Sequence, residues 1–212
     1  MWELVKAGGW LMLPLVLCSI FTLAITLERL IRLKRANVLP KNLLLQKDRS
    51  LDSVLDTLEQ DKVAANSTLG YILREGIDAF PQGEAYARAQ MEVTASREIG
   101  YLEKNVNFLG TLSAVAPLLG LLGTVLGIIE SFLVLDLGSN SNPTMMIPGI
   151  SKALITTAAG MVIAIPALFA YRYFQRLIQE YISELEQQST LFHATLFYRK
   201  PQAQDVEQKQ AS

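Results

Sequence analysis

The chain has 212 residues, half of them apolar and 18% charged, with a formal net charge of −1. That net charge averages over very different segments and by itself implies nothing about nucleic acid, which is not an expected partner. A single cysteine and a single histidine exclude a disulfide framework or a Cys/His metal site within the chain. An ordinary soluble domain is excluded by where the charges sit: residues 7–27, 105–129 and 153–171 carry none. A bilayer core needs roughly 17–25 apolar residues per helix, so each of these stretches is long enough to cross it.

Residues 1–28 read as an N-terminal segment and a first membrane helix. Lys6 ahead of an apolar run superficially resembles a secretion signal. The run is long enough to span, however, and Leu15-Val16-Leu17-Cys18 lacks the small residue that a lipoprotein cleavage site places before its cysteine, so the helix is expected to be retained. Cys18 within it is expected to be a small residue facing lipid or another helix. Residues 29–104 read as a cytoplasmic helical loop. Leu51, Val54, Leu55 and Leu58 recur at helical spacing opposite Asp52, Asp56 and Glu59. A further helix is expected from about Ser67 to Ala79, stopped by Pro81 and Gly83. From Glu84 the pattern is continuously helical with no breaker before Pro117.

Residues 105–137 form the second expected membrane helix, 138–148 a periplasmic hinge, and 149–173 the third membrane helix. The apolar stripe Phe174, Ile178, Ile182, Leu185, Phe192 and Leu196 carries that helix into a cytoplasmic extension over 174–200. The polar, Gln-rich residues 201–212 read as a disordered tail. The fold expected is therefore an all-α membrane protein with three transmembrane helices, the second and third extended into the cytoplasm.

Orientation follows from lysine and arginine, which favour the cytoplasmic side. Twelve lie in the loop at 28–104 and five in the tail from Arg172, against Lys6 at the N-terminus and Lys152 near the hinge. The N-terminus and hinge are expected outside, the loop and tail in the cytoplasm. Trp2, Trp10, Tyr171 and Tyr173 suit interfacial anchors against membrane lipid.

Residues 105–171 carry the functional signal. Ser113, Ala116, Gly120, Gly123, Gly127 and Ser131 recur every three or four residues, as do Ala153, Thr156, Gly160, Ala164 and Ala167. Such stripes let helices approach closely in lipid, where no hydrophobic effect draws them together. Packing explains the glycines Gly120, Gly123, Gly127 and Gly160, but not the hydroxyls of Thr124, Thr156 and Thr157 at matched depth. Those three are candidates for a polar pore lining, although a threonine hydroxyl can also satisfy itself on its own helix. Pro117 and Pro166 each remove a backbone donor inside a span. Glu130, about two turns before the outer end of its helix, reads either as an outer vestibule for cations or as a partner of Lys152. No nucleotide-binding loop, hydrolase elbow or zinc-protease motif occurs, so no catalysis and no cofactor are expected. No carboxylate or histidine sits at the centre of a span, so a proton path through this chain alone lacks a titrating group.

Two blocks are recognisable: Ala116-Pro117-Leu118-Leu119-Gly120-Leu121-Leu122-Gly123-Thr124-Val125, and Ala153-Leu154-Ile155-Thr156-Thr157-Ala158 followed by Ala164-Ile165-Pro166-Ala167. They resemble the signatures of the MotA/TolQ/ExbB proton-channel family. Three spans rather than four resemble its ExbB/TolQ branch. The resemblance implies an inner-membrane homopentameric ring around single-span partners of ExbD/TolR type. The partner would supply a membrane aspartate as the missing titrating group, and a TonB- or TolA-like protein would carry the work to the outer membrane. By motif match Thr124 and Thr157 would face that aspartate. Lys152 departs from the pattern, since familiar ExbB members carry a glutamate there, which puts proton carriage at that position in doubt. The stripes outnumber what one intramolecular contact needs, which also argues for a closed ring. A passive scaffold, in which the stripes only pack helices, is the alternative. A transporter half is disfavoured because no inverted repeat or paired broken helices are visible.

Overall fold

The computed structural model describes residues 8–45, 51–137 and 143–198, the side chains of 135–137 excepted. The expected disordered tail at 201–212, the anchor Trp2 and the first part of the hinge, 138–142, lie outside the described residues. Every regular element among the described residues is helical: α1 (Met12–Arg32), α2 (Arg35–Val38), α3 (Leu51–Gln60), α4 (Lys62–Ala65), α5 (Thr68–Ala79), α6 (Glu84–Glu103), α7 (Val106–Leu137) and α8 (Ile147–Tyr198). Short 3-10 turns occupy Lys41–Leu43, Phe80–Gln82 and Pro143–Met146. Three helical stretches are long and apolar enough to cross a membrane, one in Met12–Arg32, one in Glu84–Val134 and one in Pro143–Tyr198.

The chain divides into two compact units. The first, residues 1–31 and 103–177, holds the apolar spans. Met12 and Leu15 of α1, Ala116 of α7 and Ala164 of α8 form its buried cluster, with Leu119, Ala159 and Ile163 packed against it. The small residues of α7 and α8 let the two backbones meet, while Leu13, Leu118, Leu154 and Phe169 stay exposed, as a helix in lipid requires. Pro117 and Pro166 lie inside unbroken helices.

A break falls elsewhere. Lys104 and Asn105 form a turn between α6 and α7, and Asn105 has φ 64°. That is the left-handed region, which asparagine enters more readily than most L residues. The Asn105 amide donates to Glu28 Oε2 at 3.1 Å, beside the buried Arg29, whose guanidinium lies 3.1 Å from Glu28 Oε1. The expectation of one unbroken helix from Glu84 into the membrane is corrected by this turn. No proline or glycine marks it, and the determining contact comes from a residue 77 positions away.

The second unit holds residues 32–102 and the chain from Ile178. Here α8 is a spine along which the preceding chain is fastened. The Tyr181 hydroxyl donates to Leu33 O at 2.9 Å, Glu184 accepts from Arg35 at 2.9 Å, and Gln188 Oε1 accepts from Leu45 N at 2.8 Å. Those three positions, three and four apart, share one helix face. Leu33, Val38, Leu39 and Leu43 are buried alongside. Ser67 caps α5 by accepting from Gly70 N at 3.0 Å, one residue ahead of the helix start. Near the end of α8, the Phe197 ring lies against those of Phe80 and His193 at tilted angles, and the Tyr198 hydroxyl donates to Glu84 at 2.6 Å. Burial pushes the Glu98 carboxyl on α6 above the usual carboxylate range, and Arg97 at 3.7 Å opposes the shift.

Candidate functional site

The site lies between α7 and α8 and begins with glycine. A methyl group built on Gly160 would sit 2.6 Å from Ala116 O and 3.1 Å from Gly120 Cα. One on Gly120 would meet Thr156 O and Thr157 Cα, each at 3.1 Å, and one on Gly127 would meet Ala153 Cβ and Gly149 O, each at 2.8 Å. Gly123 faces the Thr156 side chain. All four glycines therefore open toward the neighbouring helix of their own chain. Ala116, Ala153, Thr156, Ala164 and Ala167 are buried in the same seam. These small residues are taken up by one intramolecular contact, so their number does not by itself argue for a closed ring.

This close approach brings two hydroxyls together. Thr124 Oγ1 and Thr157 Oγ1 are 3.1 Å apart, although 33 residues separate them in sequence. The Thr157 hydroxyl donates across the seam to Gly120 O at 2.9 Å, and the Thr124 hydroxyl donates to Leu121 O at 2.7 Å. Each hydroxyl has one proton and two lone pairs. With both protons on carbonyls, both oxygens can still accept, and either proton can turn to the other oxygen or to a third group. Both residues are half-buried. The pair is thus a small, neutral hydrogen-bonding surface able to donate or accept.

Thr156 is placed differently. It is 1% exposed, its hydroxyl donates to Ala153 O at 2.8 Å, and it fills the space opposite Gly123. Toward the end of the seam where α8 begins, Lys152 Nζ lies 2.8 and 3.0 Å from the two carboxylate oxygens of Glu130. Ser131 is buried there too, its hydroxyl donating to Gly127 O at 2.8 Å with Met146 O as an alternative acceptor at 3.3 Å. Sequence reasoning missed Ser131 as a hinge contact and Gly9 as the surface against which Lys152 lies. The Gly8-Gly9 pair at the entry to α1 was the available signal for the latter. Among the described residues no group of three or more His, Cys, Asp or Glu could hold a metal ion.

Residues 64–187 match the description of the MotA/TolQ/ExbB proton channel family, across the whole seam and its hydroxyls. The chain belongs to that family. It is 35% identical over 210 residues to a putative biopolymer transport protein ExbB-like 1 of Synechocystis sp., covering 92% of this chain and 80% of that protein. It is 32% identical over 190 residues to the biopolymer transport protein ExbB of Salmonella typhimurium, covering 82% and 75%. It is 37% identical over 115 residues to the Tol-Pal system protein TolQ of Haemophilus influenzae, covering 52% and 50%. Within the MotA/TolQ/ExbB family the chain therefore lies on the ExbB/TolQ branch.

Proposed function

We propose that this chain is the proton-channel subunit of an inner-membrane motor that uses the proton motive force to energise a transport or envelope process at the outer membrane. Its partner in that reading is a single-span protein of ExbD/TolR type carrying a membrane aspartate, with a TonB- or TolA-like protein downstream. The subunit works as a homopentameric ring, with its N-terminus in the periplasm and its C-terminus in the cytoplasm. Family membership and the distribution of Lys and Arg support the assembly and the orientation.

The observation that carries the reading is the Thr124–Thr157 hydroxyl pair on a glycine-packed seam. An unassisted carboxyl in a membrane has its pKa pushed upward and stays protonated. Two hydroxyls that both donate and accept can hydrogen-bond its charged form without adding charge. Thr156 supports the lining from within the seam, and Glu130 with Lys152 forms the outer vestibule. One charge crossing 100 mV releases about 2.3 kcal/mol, which is the work available per step.

The test is the Thr124→Val/Thr157→Val double variant, co-expressed with its partner and reconstituted in vesicles. Valine keeps the shape, so the assembled complex should be recovered normally. Two lost hydrogen bonds at about 1 kcal/mol each should lower proton flux by about tenfold or more. The mutual satisfaction of the two hydroxyls within the chain favours a second reading, a passive scaffold. Flux equal to the parent's would show that these threonines only pack the helices and that the lining lies elsewhere, whereas a parent complex without proton flux would establish the scaffold.

A further inference from the structure

The Glu130–Lys152 pair, placed above at the outer vestibule, also has a geometry that a vestibule does not require. Lys152 reaches from the first turns of α8 to both oxygens of Glu130 on α7, at 2.8 and 3.0 Å. Its stem lies against a third element. A methyl group built on Gly9 would collide with Lys152 Cε and would sit 2.8 Å from its Nζ. Gly9 also has φ +72°, where an L side chain is strained whatever the space. Its carbonyl accepts from Met12 N at 3.1 Å at the entry to α1. Beneath lies a cavity of only about 10 Å3, lined by Gly8, Gly123, Gly127 and Thr156 among others. One side chain of α8 thus reaches both Glu130 on α7 and Gly9 in the segment leading into α1.

We propose that Lys152 is a positioning residue whose ion pair with Glu130, braced on Gly9, holds α7 and α8 at the register that brings Thr124 against Thr157. The proposal rests on the reading of that hydroxyl pair for its functional meaning, but not for its geometry. Thr157 lies five residues beyond Lys152 and Thr124 six before Glu130. At 1.5 Å per residue the pair and the clasp are only about 7–9 Å apart along the helices. A slip of one residue moves a side chain by about 1.5 Å, enough to break a 3.1 Å contact. Across the seam the glycines supply close approach, and the Thr157 hydroxyl supplies a hydrogen bond to Gly120 O at 2.9 Å. The ion pair supplies a directional contact that the glycines lack. At the edge of hydrocarbon, removing one member leaves the other charged and uncompensated, so the pair acts as a unit.

The test reads geometry first. In a full-length chain carrying Cys18→Ser, cysteines at Thr124→Cys and Thr157→Cys should form a disulfide under mild oxidant in membranes. Adding Lys152→Met should slow it by about tenfold, as expected for the loss of a contact of about 1.4 kcal/mol. Lys152→Gln, which retains a donor, should stay within about threefold of the parent. The charge swap Glu130→Lys/Lys152→Glu should restore the rate. In the threonine-bearing chain, flux should fall with Lys152→Met and return with the swap. Cross-linking at the parental rate in Lys152→Met overturns the proposal, as does a swap no faster than Lys152→Met, which would assign the effect to lost packing. Cross-linking contains neither threonine, so it stands or falls independently of whether the hydroxyls serve protons.

Discussion

Gly160→Ala offers the most direct measurement of how much the close approach of α7 and α8 matters. The added methyl group would lie 2.6 Å from Ala116 O and 3.1 Å from Gly120 Cα. Both are backbone atoms, so no side chain can turn aside. Ordinary contact begins near 3.4 Å, so the helices must separate locally by about 0.8 Å. Overpacking of this kind costs about 1–3 kcal/mol. The same separation carries the Thr124–Thr157 contact from 3.1 Å to beyond 3.5 Å, outside hydrogen-bonding range. Gly100→Ala is the matched control. It too is helical, but nothing lies within 4 Å of its added methyl group, so alanine should stabilise by about 0.5–1 kcal/mol. Thermal unfolding in detergent should therefore move in opposite directions for the two variants, and only Gly160→Ala should lower proton flux. If Gly160→Ala melts as high as Gly100→Ala, the seam is looser than its geometry implies and the reasoning fails.

Two further outcomes follow from the charges. In a Cys18→Ser background, an impermeant thiol reagent added to intact cells should label Met145→Cys and not Val63→Cys, both at exposed positions; labelling of the second would reverse the orientation. Glu98 binds its proton more tightly folded than unfolded, so its contribution is most favourable at low pH and is lost as pH rises through its elevated folded value. Glu98→Gln should therefore raise the melting temperature at pH 7–8, and the gain should vanish at pH 4; an equal gain at both would show that ionisation is not its cause.

The three spans were legible because a bilayer imposes a crude requirement, length and absence of charge, that residues 7–27, 105–129 and 153–171 meet without any tertiary information. Spacing likewise exposed the stripes, since the helical period is local. What spacing could not reveal was which surface each stripe meets. Gly160 and Gly120 could have faced another copy, and only their contacts with Ala116 and Thr157 assign them to the chain's own seam. The turn at Asn105 was illegible for the same reason, because it depends on Glu28 from α1. Thr124, Thr156 and Thr157 look alike in sequence. Their division into two meeting hydroxyls and one interior group depends on rotation about each helix, which a one-residue difference changes by about 100°.

Because the glycines are already occupied within one chain, the faces left for any neighbouring copy are broad and branched: Leu118, Leu121 and Val125 on α7, Leu154, Val162 and Ile165 on α8. Lipid tails match such surfaces almost as well as another protein does. Contact between copies then competes with solvation by acyl chains rather than being locked by fit. The number of subunits held together should respond to detergent and to bilayer composition, while the helix pair inside each subunit should not. A preparation could therefore lose its quaternary structure in a harsh detergent and still keep its two threonines in contact.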